Sequence, residues 1–205
     1  MTKKQHWNDI FTSKETSELG WYEEDVSQTL KFLDFLEKKE EVQVFLSGAG
    51  TSLLVDALLE QNHRLILNDI SDEALKKLKS RIGTVNHEPI WLHHDISKTL
   101  PKNTPKVDLW IDRAVLHFLL EESQIATYFA NLNATLKVGG HALLAEFSST
   151  GAMQCAGLKV HRYSLDEMTK RMGENFELVE NEEYTYINPV GDARHYVYAL
   201  FKKIA

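Results

Sequence analysis

Cysteine and long hydrophobic runs are scarce in this chain of 205 residues. The single cysteine, Cys155, has no partner for an internal disulfide. No apolar run approaches the ~20 residues that cross a bilayer. The opening stretch MTKKQHWNDIF has two lysines but lacks the apolar segment of a secretory signal. These absences predict a protein of a reducing, cytoplasmic compartment with no membrane segment.

Basic residues are outnumbered, with 30 Asp and Glu against 23 Lys and Arg and a formal net charge of −7. A negative surface repels phosphate backbones, so we expect no nucleic-acid partner. Repeats, low-complexity tracts and linkers are also lacking, and residues 1–205 are predicted to form one domain, as a monomer or homodimer. Within it, we expect an N-terminal lid and helix over residues 1–40 and a core over residues 41–205.

The central part of the chain alternates short apolar runs with helical patterns, which is typical of a parallel sheet covered on both faces. Ser71 is placed to cap the helix that follows it, and Gly139 and Gly140 are helix stop signals. Strands are predicted at 42–46, 64–69, 89–95, 107–112 and 141–147, with helices at 25–40, after Gly50, after Ser71 and at 121–136.

The C-terminal part differs, because two strand-like stretches follow a helix at 164–172 without a helix between them. FELVENEEYTYI and RHYVYALFKK are joined through NPVGDA, so we expect them to pair antiparallel. The predicted fold class is therefore α/β: a Rossmann-like seven-stranded sheet, mostly parallel with a C-terminal antiparallel hairpin, and helices on both faces.

The stretch VFLSGAGTS joins the first strand to the next helix through Ser47, Gly48, Ala49 and Gly50. Glycine lets the backbone turn tightly and approach a ligand closely, and the following helix presents free N–H groups. A tight strand-to-helix turn without a ligand is the alternative. In a doubly wound sheet, ligands bind at the carboxyl ends of the strands, where these residues lie.

Aspartates end two further strands. Asp69 lies 19 residues after Gly50, where a carboxylate accepts both hydroxyls of an adenosine ribose. That spacing suits NAD and S-adenosylmethionine equally, and a helix-capping role is the alternative. Asp95 is placed to accept a hydrogen bond from an exocyclic amine such as that of adenine, with Ile70 and Ile96 against the ring, or else it is a surface turn aspartate.

The fourth strand end, in DLWIDRAVLHFLL, sets three polar residues into an apolar segment. Burying Asp112, Arg113 and His117 without partners is costly, which points to a cleft. Alternatively, Asp112 and Arg113 form a structural bridge and His117 is a satisfied core histidine.

Metal-binding and common hydrolase patterns are lacking. His93, His94 and Asp95 are consecutive on a strand end, so their side chains alternate between faces and do not converge on an ion. No Gly-x-Ser-x-Gly elbow and no Gly-Lys-Thr phosphate loop occurs. We predict no metal site.

Several motifs together carry a family resemblance. VFLSGAGTS, LNDIS, LHHDIS, DLWIDRAVLHFL, LKVGGHALLAEF and the terminal hairpin follow one another over roughly residues 40–203. In this order they resemble the class I S-adenosylmethionine-dependent methyltransferases. HWNDIFTSKETSELGWYEE and the DRAV-x-HFL segment resemble a small bacterial subgroup, distantly similar to thiopurine and protein-lysine methyltransferases.

The resemblance implies S-adenosyl-L-methionine as cofactor and a role for each matching position. The cofactor-binding residues would be Ser47, Gly48, Ala49, Gly50, Asp69, Ile70, Asp95, Ile96, Asp112 and Arg113. The catalytic candidates are Asp112, Arg113 and His117. One position departs from the family: Leu46 stands where an acidic residue usually helps to hold the methionine amino group.

The acceptor site is expected under an N-terminal lid carrying Trp7, Trp21 and Tyr22, beside the loop with His117 and the segment FSSTGAMQCAGLKVHRY. A small-molecule acceptor is predicted, with a thiol or other soft nucleophile suggested by the thiopurine-like resemblance. The alternatives are a protein-lysine methyltransferase, a non-catalytic S-adenosylmethionine-binding module and an NAD-dependent oxidoreductase.

Overall fold

The computed structural model describes residues 1–205. Its strands are β1 Gln43–Ser47, β2 Arg64–Asp69, β3 Ile90–His93, β4 Val107–Arg113, β5 Leu136–Phe147, β6 Gln154–Cys155, β7 Leu158–Lys159, β8 Phe176–Ile187 and β9 Ala193–Lys203. Its α-helices are α1 Lys3–Ser13, α2 Ser27–Leu30, α3 Leu54–Glu60, α4 Asp72–Ile82, α5 Glu122–Thr135 and α6 Leu165–Met172.

Seven strands form one sheet in the order β3-β2-β1-β4-β5-β9-β8. β1 pairs parallel with β2 and β4, whereas β5 and β8 both pair antiparallel with β9. The register places Ser47 opposite Asp112 and Asp69 opposite His93, so the carboxyl ends of four strands meet at one edge. The predicted fold class is confirmed.

Strand alternation gives the sheet two apolar faces, each covered by its own core. Val44 and Leu46 of β1 belong to a cluster of 22 buried residues, and Phe45 belongs to another of 20 on the opposite face. Phe45 stacks on Trp110 with 4.1 Å between ring centroids, which fixes β1 against β4. Both cores hold the strand ends rigidly at the edge where ligands bind.

Local capping confirms two of the predicted helix starts. The Ser71 hydroxyl accepts the Ala74 N–H at 3.1 Å, and the Ser164 hydroxyl accepts the Glu167 N–H at 3.1 Å. Acidic residues follow each cap, where the positive end of the helix dipole favours them.

Two predicted element boundaries were wrong. The stretch 25–40 is not one helix, because α2 gives way to a 3-10 helix at Lys31–Phe35. Strand β5 begins at Leu136 and runs through Gly139 and Gly140, which were expected to precede it. A Cβ on Gly140 would lie 2.8 Å from the Asp108 carbonyl oxygen, so glycine allows β4 and β5 to approach there.

The N-terminal segment packs as a small separate unit on the edge of the sheet. Phe11, Leu19 and Ala74 form its buried centre, with Trp7 and Trp21 packed against them. The Asn8 side chain joins α1 to the start of α4 through bonds of 2.7 Å from Ser71 and 3.0 Å to Asp72. None of the helices combines the length and apolarity that crossing a bilayer requires.

Candidate cofactor and substrate site

A cavity of about 770 Å³ opens at the carboxyl ends of β1 to β4. One half is built from the strand ends: Gly48, Gly50, Asn68, Asp69, Ile70, His94, Asp95, Ile96, Arg113, Ala114 and Val115. The other half is mainly apolar and comes from α1 and the loops: Lys3, Trp7, Phe11, Trp21, Phe118, Leu119 and Cys155.

The glycine loop after β1 has the tight-turn geometry that its sequence predicted. Gly48 and Gly50 have φ values of 62° and 52°, which side-chain-bearing residues rarely adopt. A Cβ on Gly48 would lie 2.2 Å from Val115 Cγ2, and one on Gly50 would lie 3.4 Å from Phe11 Cζ. The two glycines therefore leave bare backbone in the cavity wall, which a ligand can approach.

Asp69 lies at the end of β2, 6% exposed, in the wall of the cavity. Its Oδ2 accepts the Gly50 N–H at 2.8 Å, and its Oδ1 accepts the Ser71 N–H at 2.8 Å. Burial raises the pKa of Asp69 to about 6, against the opposing effect of these N–H donors. Each carboxylate oxygen accepts more than one bond, so hydroxyl donors can still be bound.

Asp95, Ile70 and Ile96 line the cavity together, next to the end of β3. The Asp95 Oδ1 accepts the Ser97 N–H at 3.0 Å and the Ser97 hydroxyl at 2.7 Å. The turn role and the cavity-facing position thus coexist in one residue. Two isoleucines and a carboxylate suit a flat heterocycle with an exocyclic amine.

Arg113, at the end of β4, is held from several sides. Its Nη1 donates to the Trp21 carbonyl at 3.2 Å, and its Nη2 lies 2.6 Å from Glu23 Oε1. The guanidinium also lies over Tyr186 and Tyr196, 5.4 Å and 5.1 Å from their ring centroids. Arg113 therefore fastens the N-terminal segment to the sheet.

The backbone after Arg113 is strained at the cavity wall. Ala114 has a φ of 66°, in the left-handed region, and its N–H donates to the Ala145 carbonyl at 2.9 Å. Strain at a residue without glycine's freedom concentrates at functional sites. Here it turns the chain so that Ala114 and Val115 face the cavity.

A second cavity of about 520 Å³ adjoins the first. Gly48, Gly50, Trp21 and Arg113 line both, so the two cavities lie on either side of the glycine loop and these side chains. Its remaining wall is formed by Thr16, Leu19, Tyr22, Glu23, Leu46, Ser47, Ala49, Thr51, Ser52 and Leu54. The Ser47 hydroxyl is buried without a hydrogen-bond partner.

Two residues predicted to act at the site, Asp112 and His117, line neither cavity. Both are 0% exposed. Asp112 is adjacent to Arg113 on β4, so its side chain points to the opposite face of the sheet. Asp112 Oδ1 accepts the Val115 N–H at 3.0 Å, and His117 Nδ1 lies 2.9 Å from Glu146 Oε2. Arg113 pairs with Glu23, so the alternative of a structural bridge between Asp112 and Arg113 does not apply.

The buried cluster behind the wall has strongly shifted acidities. Burial raises the pKa of Glu146 to about 8 and holds the pKa of Asp112 well above its ordinary value, with the Glu146 charge adding to the latter. Burial also lowers the pKa of His117 to about 3. His117 is therefore a neutral core histidine in this arrangement.

Several cavity residues were not predicted from the sequence. Phe11, Glu23 and Phe118 lie within stretches that carry the family resemblance but were given no role, and Lys3 lies outside those stretches. Packing of the N-terminal segment brings Lys3, Phe11 and Glu23 to the strand ends. The aromatic content of the N-terminus was the available signal; Trp7 and Trp21 line the first cavity, and Tyr22 lines the second cavity, described above. No group of three or more His, Cys, Asp or Glu side chains is arranged to hold a metal ion.

Comparison with known proteins points to one class. Residues 47–142 match a methyltransferase domain family. The chain is 32% identical over 141 residues to thiopurine S-methyltransferases of Shewanella baltica strains OS185 and OS223, covering 62% of this chain and 64% of each relative. The chain thus spans less than two thirds of the length of these curated relatives.

Solved structures share the architecture at low sequence identity. N-methyltransferase NodS from Bradyrhizobium japonicum WM9, in complex with S-adenosyl-L-homocysteine, superposes with a TM-score of 0.75 at 16% identity, covering 98% of this chain and 97% of that one. The 1,6-didemethyltoxoflavin-N1-methyltransferase of Burkholderia thailandensis gives a TM-score of 0.70 at 18% identity, covering 98% and 84%.

The matched domain, the curated relatives and the shared fold all support the predicted resemblance to the class I S-adenosylmethionine-dependent methyltransferases.

Proposed function

We propose that this protein binds S-adenosyl-L-methionine and transfers its methyl group to a small-molecule acceptor. The observation that carries the proposal is the cavity in which the glycine loop, Asp69 and Asp95 meet at adjacent strand ends. These groups fit the cofactor: Asp69 for the ribose hydroxyls, and Asp95 with Ile70 and Ile96 for the adenine.

The remaining cofactor groups follow from the direction in which the cavity extends. With adenosine at β2 and β3, the sulfur lies toward the end of β4, near Arg113 and Ala114. Bare backbone at Gly48 and Gly50 accommodates the chain between ribose and amino acid. Asp112 and His117, predicted as catalytic, would act only through Arg113 and the loop that follows it.

The cofactor supplies a methyl group activated by a sulfonium, and the protein holds the reactants in line. The glycine loop, Asp69 and Asp95 would hold the donor so that an acceptor could approach its methyl group in line with the sulfur. Positioning of this kind accounts for much of the rate in such displacements. The rigid strand ends and the covering α1 suit this task.

A thiol is the acceptor class that we infer. The wall opposite the strand ends is largely aromatic, with Trp7, Phe11, Trp21 and Phe118, and has neither a carboxylate nor an imidazole. Burial raises the pKa of the Cys155 thiol to about 11, which disfavours it as a base. A thiolate needs no general base, whereas a hydroxyl or ammonium must lose a proton.

The similarity to thiopurine S-methyltransferases supports this inference, as does the apolar wall, which suits a flat, soft acceptor. A protein-lysine acceptor, the earlier alternative, has no feature of the cavity in its favour.

The cytoplasmic location and the monomeric or dimeric state stay predictions.

Binding and turnover test the proposal in sequence. Isothermal titration with S-adenosylmethionine, S-adenosylhomocysteine and NAD is expected to show binding of the first two only. Release of S-adenosylhomocysteine is then measured across aromatic thiols, aliphatic thiols, amines and carboxylic acids, with aromatic thiols expected to be fastest. Binding of NAD alone would overturn the methyltransferase proposal, and turnover restricted to amines would overturn the thiol acceptor.

A further inference from the structure

Strand β1 contributes no charged side chain to the smaller cavity beside the glycine loop. Leu46, 3% exposed, occupies the position two residues before Gly48 where the family resemblance expects an acid. Its neighbour Ser47 is buried with its hydroxyl unpartnered. The strand therefore offers this cavity a polar atom but no negative charge.

Glu23, from the segment between α1 and α2, brings a carboxylate to the same cavity. Its side chain is only 8% exposed, and Oε1 lies 2.6 Å from Arg113 Nη2. Arg113 also holds the adjacent Trp21 carbonyl, which fixes the backbone that carries Glu23. Glu23 Oε1 thus faces Arg113, whereas Glu23 Oε2 makes no hydrogen bond to another protein group.

We propose that Glu23 binds the ammonium of the cofactor's amino-acid moiety and replaces the acid that is missing at Leu46. This rests on the proposed function. Arg113 acts as the positioning residue: it holds the Glu23 carboxylate at the cavity and balances its charge. The pair presents one positive and one negative group, which matches the zwitterionic end of S-adenosylmethionine.

The alternative is that the Arg113–Glu23 pair only fastens the N-terminal segment. Burying an ion pair is weak evidence for stability, because desolvation opposes the attraction. Burial raises the pKa of Glu23 even beside Arg113, so its charged form is under-solvated in the protein alone. A ligand cation would relieve that cost, whereas a purely structural pair leaves it uncompensated.

Two ligands that differ in the amino-acid moiety separate these roles. S-adenosylhomocysteine carries the ammonium, whereas 5′-methylthioadenosine has the same adenosine and sulfur without it. We expect Glu23→Gln to weaken S-adenosylhomocysteine binding tenfold or more by isothermal titration and to change 5′-methylthioadenosine binding by less than twofold. Glu24→Gln, at the exposed neighbouring residue, should alter neither affinity.

Restoring an acid on β1 gives a second test. In the Glu23→Gln background, Leu46→Asp should recover selectivity for S-adenosylhomocysteine over 5′-methylthioadenosine. Thermal melting monitors folding, and Glu23→Asp, which keeps the charge on a shorter arm, replaces Glu23→Gln if the latter does not fold. Glu23→Asp is then expected to lose part of the affinity for S-adenosylhomocysteine but to keep the affinity for 5′-methylthioadenosine.

The outcomes distinguish this inference from the function on which it rests. If the wild-type chain binds S-adenosylhomocysteine and Glu23→Gln weakens both ligands equally, or neither, Glu23 has a structural role and the inference fails alone. If the wild-type chain binds neither ligand, the proposed function itself fails.

Discussion

The Gly50 amide donates a hydrogen bond of 2.8 Å to Asp69 Oδ2. This bond joins the glycine loop after β1 to the end of β2, so the two features expected to hold the cofactor are fixed to each other. The same carboxylate accepts the Ser71 N–H at the start of α4. One buried aspartate thus sets the relative positions of a loop, a strand end and a helix.

Replacing Asp69 by asparagine should weaken S-adenosylhomocysteine binding roughly tenfold, because hydrogen bonds to a charged group contribute about 1.5–3 kcal/mol. Isothermal titration measures the change. Asp108→Asn is the matched control: Asp108 also accepts a backbone N–H, from Gln43 at 3.0 Å, but it lies near the opposite end of its strand. Equal affinity of Asp69→Asn and wild type would remove Asp69 from the site.

Gly48→Ala should destabilise the fold and abolish cofactor binding. Its φ of 62° is strained for alanine, at a cost of order 1–3 kcal/mol. The new methyl would also meet Val115 Cγ2 at 2.2 Å. Chemical denaturation and titration with S-adenosylhomocysteine measure the two effects.

Gly83→Ala separates backbone strain from steric clash. Gly83 has a φ of 61°, but no atom lies within 4 Å of a Cβ built there. This variant should lose less stability than Gly48→Ala and keep its affinity. Equal losses in the two variants would show that the contact with Val115 has no effect.

Glu146→Gln should make folding stability less dependent on pH. The unfolded carboxyl titrates near 4.5, whereas in the folded protein burial raises its pKa to about 8. Between these values the folded state retains a proton that the unfolded state has lost, so rising pH reduces stability. Asp112, Tyr128, Tyr163 and His117 face the same cluster and remain in the variant.

Thermal melts from pH 5 to pH 9 test this expectation. The melting temperature of the wild type should fall relative to that of Glu146→Gln up to about pH 8 and then stay level. A constant difference across the range would contradict a raised Glu146 pKa.

Loss of the N-terminal segment should impair turnover more than folding. Residues 1–22 lie outside the two large cores, in the small cluster around Phe11 and Leu19. Deleting them removes Trp7 and Trp21 from the cavity wall. Assays of S-adenosylhomocysteine release and thermal melting measure both properties, and an unfolded truncation would show that the segment is needed for packing.

A point variant tests the same wall in the full chain. Trp7 packs edge-on against Phe118 with 4.9 Å between ring centroids. Trp7→Ala should raise the KM for the acceptor at least several-fold. Trp91→Ala, in a partly buried tryptophan on edge strand β3, is the control and should leave that KM unchanged.

Local sequence signals predicted the sheet well because strands, caps and turns depend on nearby residues. The apolar runs, the serine caps and the helix-free tail were sufficient for the fold class and the strand directions, but they did not give the strand order. Periodicity did not reveal the change to a 3-10 helix at Lys31–Phe35, since both helix types bury residues at similar spacings. Nor did Gly139 and Gly140 show whether they end a helix or permit close strand contact.

The site was predictable where chain order alone places a residue at a strand end, as for Gly48, Asp69 and Asp95. Lys3 and Glu23 arrive through long-range packing of the N-terminal segment, whereas Phe118 lies in the DRAV-x-HFL segment, where no role was assigned to it. The inward position of Asp112 follows from strand alternation once Arg113 is assigned to the cavity. The polar residues in this apolar segment were expected to line a cleft. Asp112 and His117 are instead buried in a cluster with Glu146 behind the cavity wall.

Through Trp21 and Glu23, Arg113 attaches one stretch of the chain beside both cavities. Because the same N-terminal stretch covers the aromatic half and reaches the glycine loop, a single opening movement would uncover both compartments. Under the proposed function, S-adenosylhomocysteine and the methylated product would then leave during the same opening. The rate of opening would set an upper limit on the turnover number.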